Sequence, residues 1–208
     1  IPRMEKIVVN MGVSASLAFA AAVPFLWKAA AKPGVPDVIA AEMKNTPRGE
    51  VTIVDFVDFE CPFCRQTASD LQPSLDKYRG KYRLVRKQMP LTRIHPHAES
   101  AARAATCAET LGKGDEMAAA LMSAPVADLT DDGCAKMATD LGLDEHAFRA
   151  CLAAPDTQKR LQADEAAFKA AHGRALPTIW IGRQVIEGAQ GPDKLREAMD
   201  KAVVEAGG

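Results

Sequence analysis

The stretch VTIVDFVDFECPFCRQTASDLQP, residues 51–73, contains the strongest structural signals of the sequence. Residues Val51 to Val57 are almost all apolar or β-branched, which is typical of a buried strand. Pro62 follows at a position that the first turn of a helix tolerates, so a helix is expected from there to about Tyr78. A second strand-like run, YRLVRKQMP, begins at Tyr82. This order predicts a βαβ unit with two parallel strands and a right-handed crossover.

The pair Cys61 and Cys64 lies where the first strand feeds the helix. A thiol at a helix N-terminus faces unpaired N–H groups and the positive end of the helix dipole, and both favour the thiolate. Cys61 is therefore the expected nucleophile, and Cys64, one turn later, is in reach to resolve a mixed disulfide. The alternative is a zinc or copper(I) site completed by His95 or His97. It is disfavoured because the chain has no second CxxC and no regular ligand spacing.

Two further residues fit the redox interpretation. Asp55 interrupts the apolar strand six residues before Cys61, where burial would raise the pKa of its carboxyl and let it accept the proton of the resolving cysteine. Pro177 opens the later strand LPTIWIG, and a cis bond there would expose a backbone edge for an extended substrate. A partly exposed aspartate and an ordinary trans proline are the respective alternatives.

The remainder of the chain is mainly helical in pattern until strand signals return at LPTIWIG and RQVIEGA, followed by a last helix from Pro192. The prediction is an α/β protein, a thioredoxin fold with an inserted all-helical subdomain, preceded by an apolar N-terminal helix. Its expected divisions are residues 1–32 (apolar segment and linker), 33–90 (first half of the fold), 91–172 (helical insertion) and 173–208 (second half).

The N-terminal segment from Ile7 to Trp27 contains 21 residues without a charge. This length fits a membrane-spanning helix, a signal peptide or a buried helix of a soluble core. An uncleaved membrane anchor, residues 7–27, is the preferred interpretation. The net charge is −1 and no basic stripe is present, so a nucleic-acid partner is not expected.

Three more cysteines occur in the helical region: Cys107, Cys134 and Cys151. Cys134 and Cys151 lie at similar distances on either side of Gly142, so an αα-hairpin pivoting there would bring them together, and a structural Cys134–Cys151 disulfide is predicted. A Cys107–Cys151 bridge is the alternative. His95 and His97 bracket Pro96 and are interpreted as a helix entry rather than a metal or proton-transfer site.

Three quoted stretches, VDFVDFECPFCR, HPHAESAARAA and LPTIWIGRQVIEGAQ, occur in this order and resemble the DsbA-like thiol:disulfide oxidoreductases of the thioredoxin-fold superfamily. The resemblance implies that Cys61 attacks, Cys64 resolves, Asp55 is the buried acid and Pro177 is a cis-proline. The residues beside them are the expected client contacts: Pro62, Phe63, Leu176 and Thr178.

Two positions depart from that family pattern. Phe63 stands where the strongest oxidants have histidine, and Leu176 stands where threonine or valine is usual. Phe63 cannot donate a hydrogen bond to a thiolate, so this pattern predicts a milder oxidant.

The expected function is exchange of disulfides with extracytoplasmic, cysteine-containing client proteins through Cys61 and Cys64, as an oxidase and without a cofactor or metal. A disulfide isomerase or reductase and, more remotely, a soft-metal binding protein are the alternatives. A membrane redox partner, such as a quinone-linked reoxidase or a fused vitamin K epoxide reductase-like domain, would restore the disulfide. The expected location is the bacterial cell envelope, facing the periplasm and anchored in the membrane.

Overall fold

The computed structural model describes residues 34–207, and the secondary structure agrees with the pattern expected from the sequence. The elements in chain order are α1 (Asp37–Lys44), β1 (Val51–Val57), α2 (Pro62–Lys77), β2 (Tyr82–Gln88), α3 (Ala98–Thr110), α4 (Gly114–Ser123), a 3-10 turn (Val126–Asp128), α5 (Asp131–Asp140), α6 (Glu145–Ala153), α7 (Pro155–Ala170), β3 (Thr178–Ile181), β4 (Gln184–Glu187) and α8 (Pro192–Gly207).

The four strands form one mixed sheet in the order β2-β1-β3-β4. Strands β1 and β2 are parallel, with Asp55 beside Arg86 in the register, so the predicted βαβ unit is confirmed. Strand β3 runs antiparallel to β1, and β4 runs antiparallel to β3. Because Phe56 pairs with Thr178, the start of β3 lies at the same end of the sheet as the end of β1.

Alternate residues of β1 face opposite sides of the sheet, and helices cover both sides. Val51 and Ile53 pack with α2 and α8, through residues such as Leu71 and Leu195. On the other side, a second cluster joins β1 and β3 to α1 and α7; it contains Ile39, Val54, Phe56, Ala167, Phe168 and Trp180. The nearly continuous apolar run of β1 is therefore explained by burial on both faces.

Helices α3 to α7 lie between the two halves of the sheet, and α3 to α6 pack around a third apolar cluster. Helices α5 and α6 begin at side-chain caps: the side chains of Thr130 and Asp144 accept from the N–H groups of Gly133 and Ala147, at 3.1 and 2.7 Å. Gly133 has a second role, because an added Cβ would lie 1.9 Å from a main-chain oxygen of the preceding turn. The short connection after α5 turns at Gly142, which has a φ of +82°.

The predicted apolar helix of residues 7–27 lies outside the residues that the structure describes. Within residues 34–207, no helix combines the length and the apolar character that crossing a membrane requires.

Candidate active site

The two active-site thiols lie at the start of α2. Cys61 is the N-cap residue, Pro62 occupies the first helical position, and the N–H of Arg65 donates to the carbonyl oxygen of Cys61 at 3.1 Å. Cys61 is 5% exposed and Cys64 is 2% exposed, and each is a free thiol. Strand β1 thus leads into a helix whose N-terminus carries the nearly buried sulfur of Cys61, as the sequence predicted.

The two thiols differ strongly in acidity. A hydrogen bond from the Cys64 thiol, helped by main-chain N–H groups of Cys64 and Phe63, outweighs burial and lowers the pKa of Cys61 to about 6. The same hydrogen bond, together with burial and the nearby charge of Asp55, raises the pKa of Cys64. Cys61 is therefore the thiolate near neutral pH, and Cys64 keeps its proton.

Asp55 points from β1 toward α2, on the side of the sheet that carries Cys64. Burial raises the pKa of its carboxyl from 3.8 to about 6, and the positive charge of Arg86 opposes this rise. The carboxyl lines a groove of about 900 Å³ between α2, β2 and α4. Arg86, next to Asp55 on the neighbouring strand, forms an ion pair with Asp115 of α4, and both line this groove. The charge of Asp55 therefore acts on Cys64, and its carboxyl borders a groove that is open to solvent.

The loop before β3 lies beside the thiols. The Leu176–Pro177 peptide is cis, which confirms that part of the prediction. Leu176 packs against the cluster that contains Cys61 and Cys64. The carbonyl oxygen of Pro177 accepts from the N–H of Gly188 at 2.8 Å, which fixes the loop to the end of β4.

The expected client contacts fall into two groups. Pro62 and Phe63 are exposed, Phe63 by 60%, and Leu176 is half-buried. Thr178, in contrast, is fully buried, and its hydroxyl donates to the carbonyl oxygen of Ala175 at 2.6 Å. Its main chain is already paired on both sides within the sheet. The Thr178 side chain therefore supports the proline loop from inside, and its assignment as a client contact is wrong.

The structural disulfide joins Cys107 to Cys151, with a Cα–Cα distance of 5.8 Å, so the predicted Cys134–Cys151 pairing is wrong. The prediction compared only the distances of the cysteines from Gly142 along the two helices. The rotation of each side chain about its helix axis decides the pairing. Cys134 is fully buried in the apolar cluster and remains a free thiol, whereas Cys151 meets Cys107 beside the hydroxyl of Thr157.

Sequence reasoning missed the side chains that hold the CPFC loop. Arg65 donates to three carbonyl oxygens, of Phe59 at 2.7 Å and of Leu121 and Ala124 in and after α4 at 3.1 and 2.6 Å. It thereby ties the first turn of α2 to the helical segment. Its position directly after a buried cysteine is the only sequence signal for this role.

Asp58 and Glu60, from the same loop, accept hydrogen bonds from the segment that precedes α3. His97 is the N-cap residue of α3, as the helix-entry interpretation expected. His95 also contacts Asp58, which sequence spacing did not indicate. Across residues 34–207, no group of three or more His, Cys, Asp or Glu side chains is arranged to hold a metal ion.

Similar proteins add an independent line of evidence. The family model described as thioredoxin matches residues 46–201. Among solved structures, the chain is similar to a thioredoxin-like oxidoreductase from Silicibacter pomeroyi, with a TM-score of 0.66, 25% identity, and coverage of 80% of this chain and 96% of that one. The oxidoreductase DsbA from Xylella fastidiosa has a TM-score of 0.61 and 22% identity, with 76% and 86% covered.

The curated relatives that the chain matches are named as antiporters. The chain is 34% identical over 157 residues to the Na(+)/H(+) antiporter NhaA 3 of Salinispora tropica, covering 75% of this chain and 23% of that protein. It is 28% identical over 140 residues to the antiporter NhaA of Herminiimonas arsenicoxydans, covering 67% and 22%. The chain thus spans about a quarter of the length of the curated relatives it matches.

The family match covers both halves of the sheet and the helices between them, and it includes every active-site residue described above. Together with the structural likeness, it confirms the predicted thioredoxin fold, which the DsbA structure of Xylella fastidiosa shares. The chain belongs to the thioredoxin family.

Proposed function

We propose that this protein is a protein-disulfide oxidase that transfers the Cys61–Cys64 disulfide to extracytoplasmic client proteins. The observation that carries the proposal is the opposite perturbation of the two thiols, a lowered pKa at Cys61 and a raised pKa at Cys64. A stabilised thiolate at Cys61 favours the reduced pair and therefore makes the disulfide a stronger oxidant.

The reaction proceeds by two exchanges. A client thiolate attacks the sulfur of Cys61, the Cys61–Cys64 bond breaks, and a mixed disulfide forms while Cys64 leaves as a thiolate. Asp55, when protonated, supplies a proton to Cys64. A second client thiolate then attacks the client sulfur of the mixed disulfide, and Cys61 leaves as the stable thiolate. Two electrons pass from the client, which gains a disulfide, to the active-site pair.

Client contact is proposed at the surface around Cys61. Phe63 is largely exposed there and offers an apolar contact, and the half-buried Leu176 lies beside the thiols in the loop that carries Pro177. An extended client segment beside these residues would present its cysteine to the attacking sulfur.

A membrane redox partner is proposed to remove the two electrons from the reduced pair. The uncharged segment of residues 7–27 supports a site of action at the bacterial envelope, facing the periplasm. The antiporter names of the curated relatives also suit a position near a membrane. They lend no support to a fused vitamin K epoxide reductase-like domain.

A redox titration against glutathione tests the proposal. The Cys134→Ala variant is a suitable parent, because it removes the one other free thiol among the described residues. We expect a potential between about −180 and −120 mV, the range of oxidising members of the superfamily. A value near about −270 mV would instead indicate a reductase. Efficient repair of a scrambled client without net oxidation would indicate an isomerase.

The variant Cys61→Ser is the matched control, and it should lose exchange with every client. Retention of exchange by this variant, or stoichiometric metal in place of a Cys61–Cys64 disulfide, would overturn the redox assignment.

A further inference from the structure

The loop between β1 and Cys61 contains a buried carboxylate with three hydrogen-bond donors. The Asp58 side chain has no exposed surface. Its Oδ1 accepts from the N–H of Glu60 at 2.8 Å, and its Oδ2 accepts from the N–H of Leu91 at 2.9 Å. Nδ1 of His95 lies 2.8 Å from the same Oδ2. Asp58 therefore fastens the CPFC loop to the segment that connects β2 with α3.

A second contact reinforces this connection. The Glu60 carboxylate accepts from the N–H of His97 at 2.7 Å, and Glu60 is 8% exposed. Two acidic side chains within three residues of Cys61 thus bind the same connecting segment. The two histidines differ, because His95 contributes its imidazole and His97 contributes only its main chain.

The main chain of Asp58 contacts both thiol residues. Its carbonyl oxygen accepts from the N–H of Cys61 at 3.2 Å, and its own N–H stabilises negative charge on the sulfur of Cys64. A movement of Asp58 would therefore displace the attacking and the resolving cysteine together.

The charge of Asp58 also acts on the thiol of Cys61. Two titratable side chains act on its carboxylate, the imidazole of His95 by a hydrogen bond and the guanidinium of Arg65 on α2 through its charge. Glu60 donates its main-chain N–H to Asp58, and its own carboxylate binds the N–H of His97. The negative charge of Asp58 opposes formation of the Cys61 thiolate, although the other groups keep the pKa of Cys61 low. The hydrogen bond from His95 draws charge away from this carboxylate and so limits its effect.

We propose that Asp58 and His95 form a positioning pair for Cys61, in which Asp58 fixes the loop and His95 moderates the negative charge that Asp58 places near the attacking sulfur. The inference rests on the proposed function for its biological meaning, because it assigns residues that set the reactivity of the exchanging thiol.

Two substitutions should move the acidity of Cys61 in opposite directions. Asp58→Asn keeps the shape of the side chain and removes its charge, so the pKa of Cys61 should fall by about 0.5 pH unit. His95→Phe keeps a ring in place and removes the donor, so the pKa should rise by about the same amount. Each change corresponds to roughly a threefold change in the ratio of thiolate to thiol at a fixed pH.

The measurement is the ultraviolet absorbance of the thiolate during a pH titration of the reduced full chain, in the Cys134→Ala parent. It needs no client, so it does not depend on whether the protein is an oxidase. Thermal unfolding of each variant is recorded in parallel, because both substitutions remove a buried hydrogen bond and should lower the melting temperature.

Matched controls separate tuning from general destabilisation. Asp164→Asn alters another buried carboxylate, which accepts from the N–H of Gln88 on the opposite side of the sheet. His97→Phe alters the neighbouring histidine, whose imidazole does not bind the loop acids. Both controls should leave the pKa of Cys61 unchanged, whatever their effect on stability.

The double variant gives the decisive outcome. In the Asp58→Asn background the substitution His95→Phe should no longer raise the pKa of Cys61, because the charge that His95 moderates is absent. The proposal is overturned if both single variants shift the pKa in the same direction, if neither shifts it, or if the effect of His95→Phe persists without the Asp58 charge.

Discussion

The partly buried carboxyl of Asp55 should carry a measurable cost in stability, which Asp55→Asn should remove. Its pKa rises from 3.8 to about 6 on folding, chiefly through burial. This difference corresponds to about 3 kcal/mol in the free energy of unfolding. It is an upper limit, because the groove beside α2 gives the carboxyl some access to water.

The sign of the effect follows from the raised pKa. Well below the unfolded value of 3.8 the carboxyl is protonated in the folded and the unfolded protein, and it costs nothing. As the pH rises from about 4 through about 6, the unfolded chain ionises first, so the folded state loses stability relative to it. The asparagine variant carries no such penalty. At pH 8 it should therefore be more stable than the parent by as much as about 3 kcal/mol.

Urea unfolding of both proteins in the reduced state, at pH 4 and at pH 8, measures this difference. Asp76→Asn is a matched control, because Asp76 lines the same groove and its side chain is 53% exposed. It controls for the loss of a carboxylate from the same groove without loss of a buried one. If the stability gap between Asp55→Asn and the parent is the same at pH 4 and pH 8, the carboxyl does not bear the cost that its burial implies.

Three further outcomes are expected. Loss of the Cys107–Cys151 disulfide through Cys151→Ser should lower the free energy of unfolding by about 4 kcal/mol, because the bond closes a loop with a sequence separation of 44; a loss under about 1 kcal/mol in urea unfolding would contradict this. Arg86→Gln should raise the pKa of Asp55 above about 6, because it removes a positive charge beside the carboxyl; a lower pKa in a carboxyl NMR titration would contradict this charge effect. Phe63→His should lower the pKa of the attacking thiol and make the potential more oxidising, because histidine adds a donor beside the thiolate; an unchanged glutathione equilibrium would refute this.

The part of the fold that depends on local patterns could be predicted from the sequence. The apolar run of β1, the proline at the start of α2 and the parallel register with β2 follow from periodicity and turn chemistry. The roles of Cys61 and Asp55 could be predicted for the same reason. A separation of six residues places Asp55 near the end of the strand and Cys61 at the start of the helix that follows it.

Contacts between segments that are distant along the chain could not be predicted from the sequence. The partner of Cys151 depends on how α3, α5 and α6 are rotated against one another, and spacing along the chain does not determine this rotation. Two of the three donors to Asp58, Leu91 and His95, lie more than 30 residues away along the chain, and no local rule links them to it. Successive residues of β3 face opposite sides of the sheet, as the sequence pattern indicates. The complete burial of Thr178, however, depends on packing against both sides of the sheet.

The apolar cluster that surrounds the active-site sulfurs has a consequence for how this chain can be shortened. Val57, Phe59, Cys61 and Cys64 share that cluster with side chains of α3 to α6. A truncated version that kept only the sheet and its flanking helices would leave these residues exposed to water and would deprive Arg65 of two of its three acceptors. The helical segment thus covers the active-site sulfurs. A minimal redox domain cut from this chain would need other apolar residues in its place to hold its thiols in position.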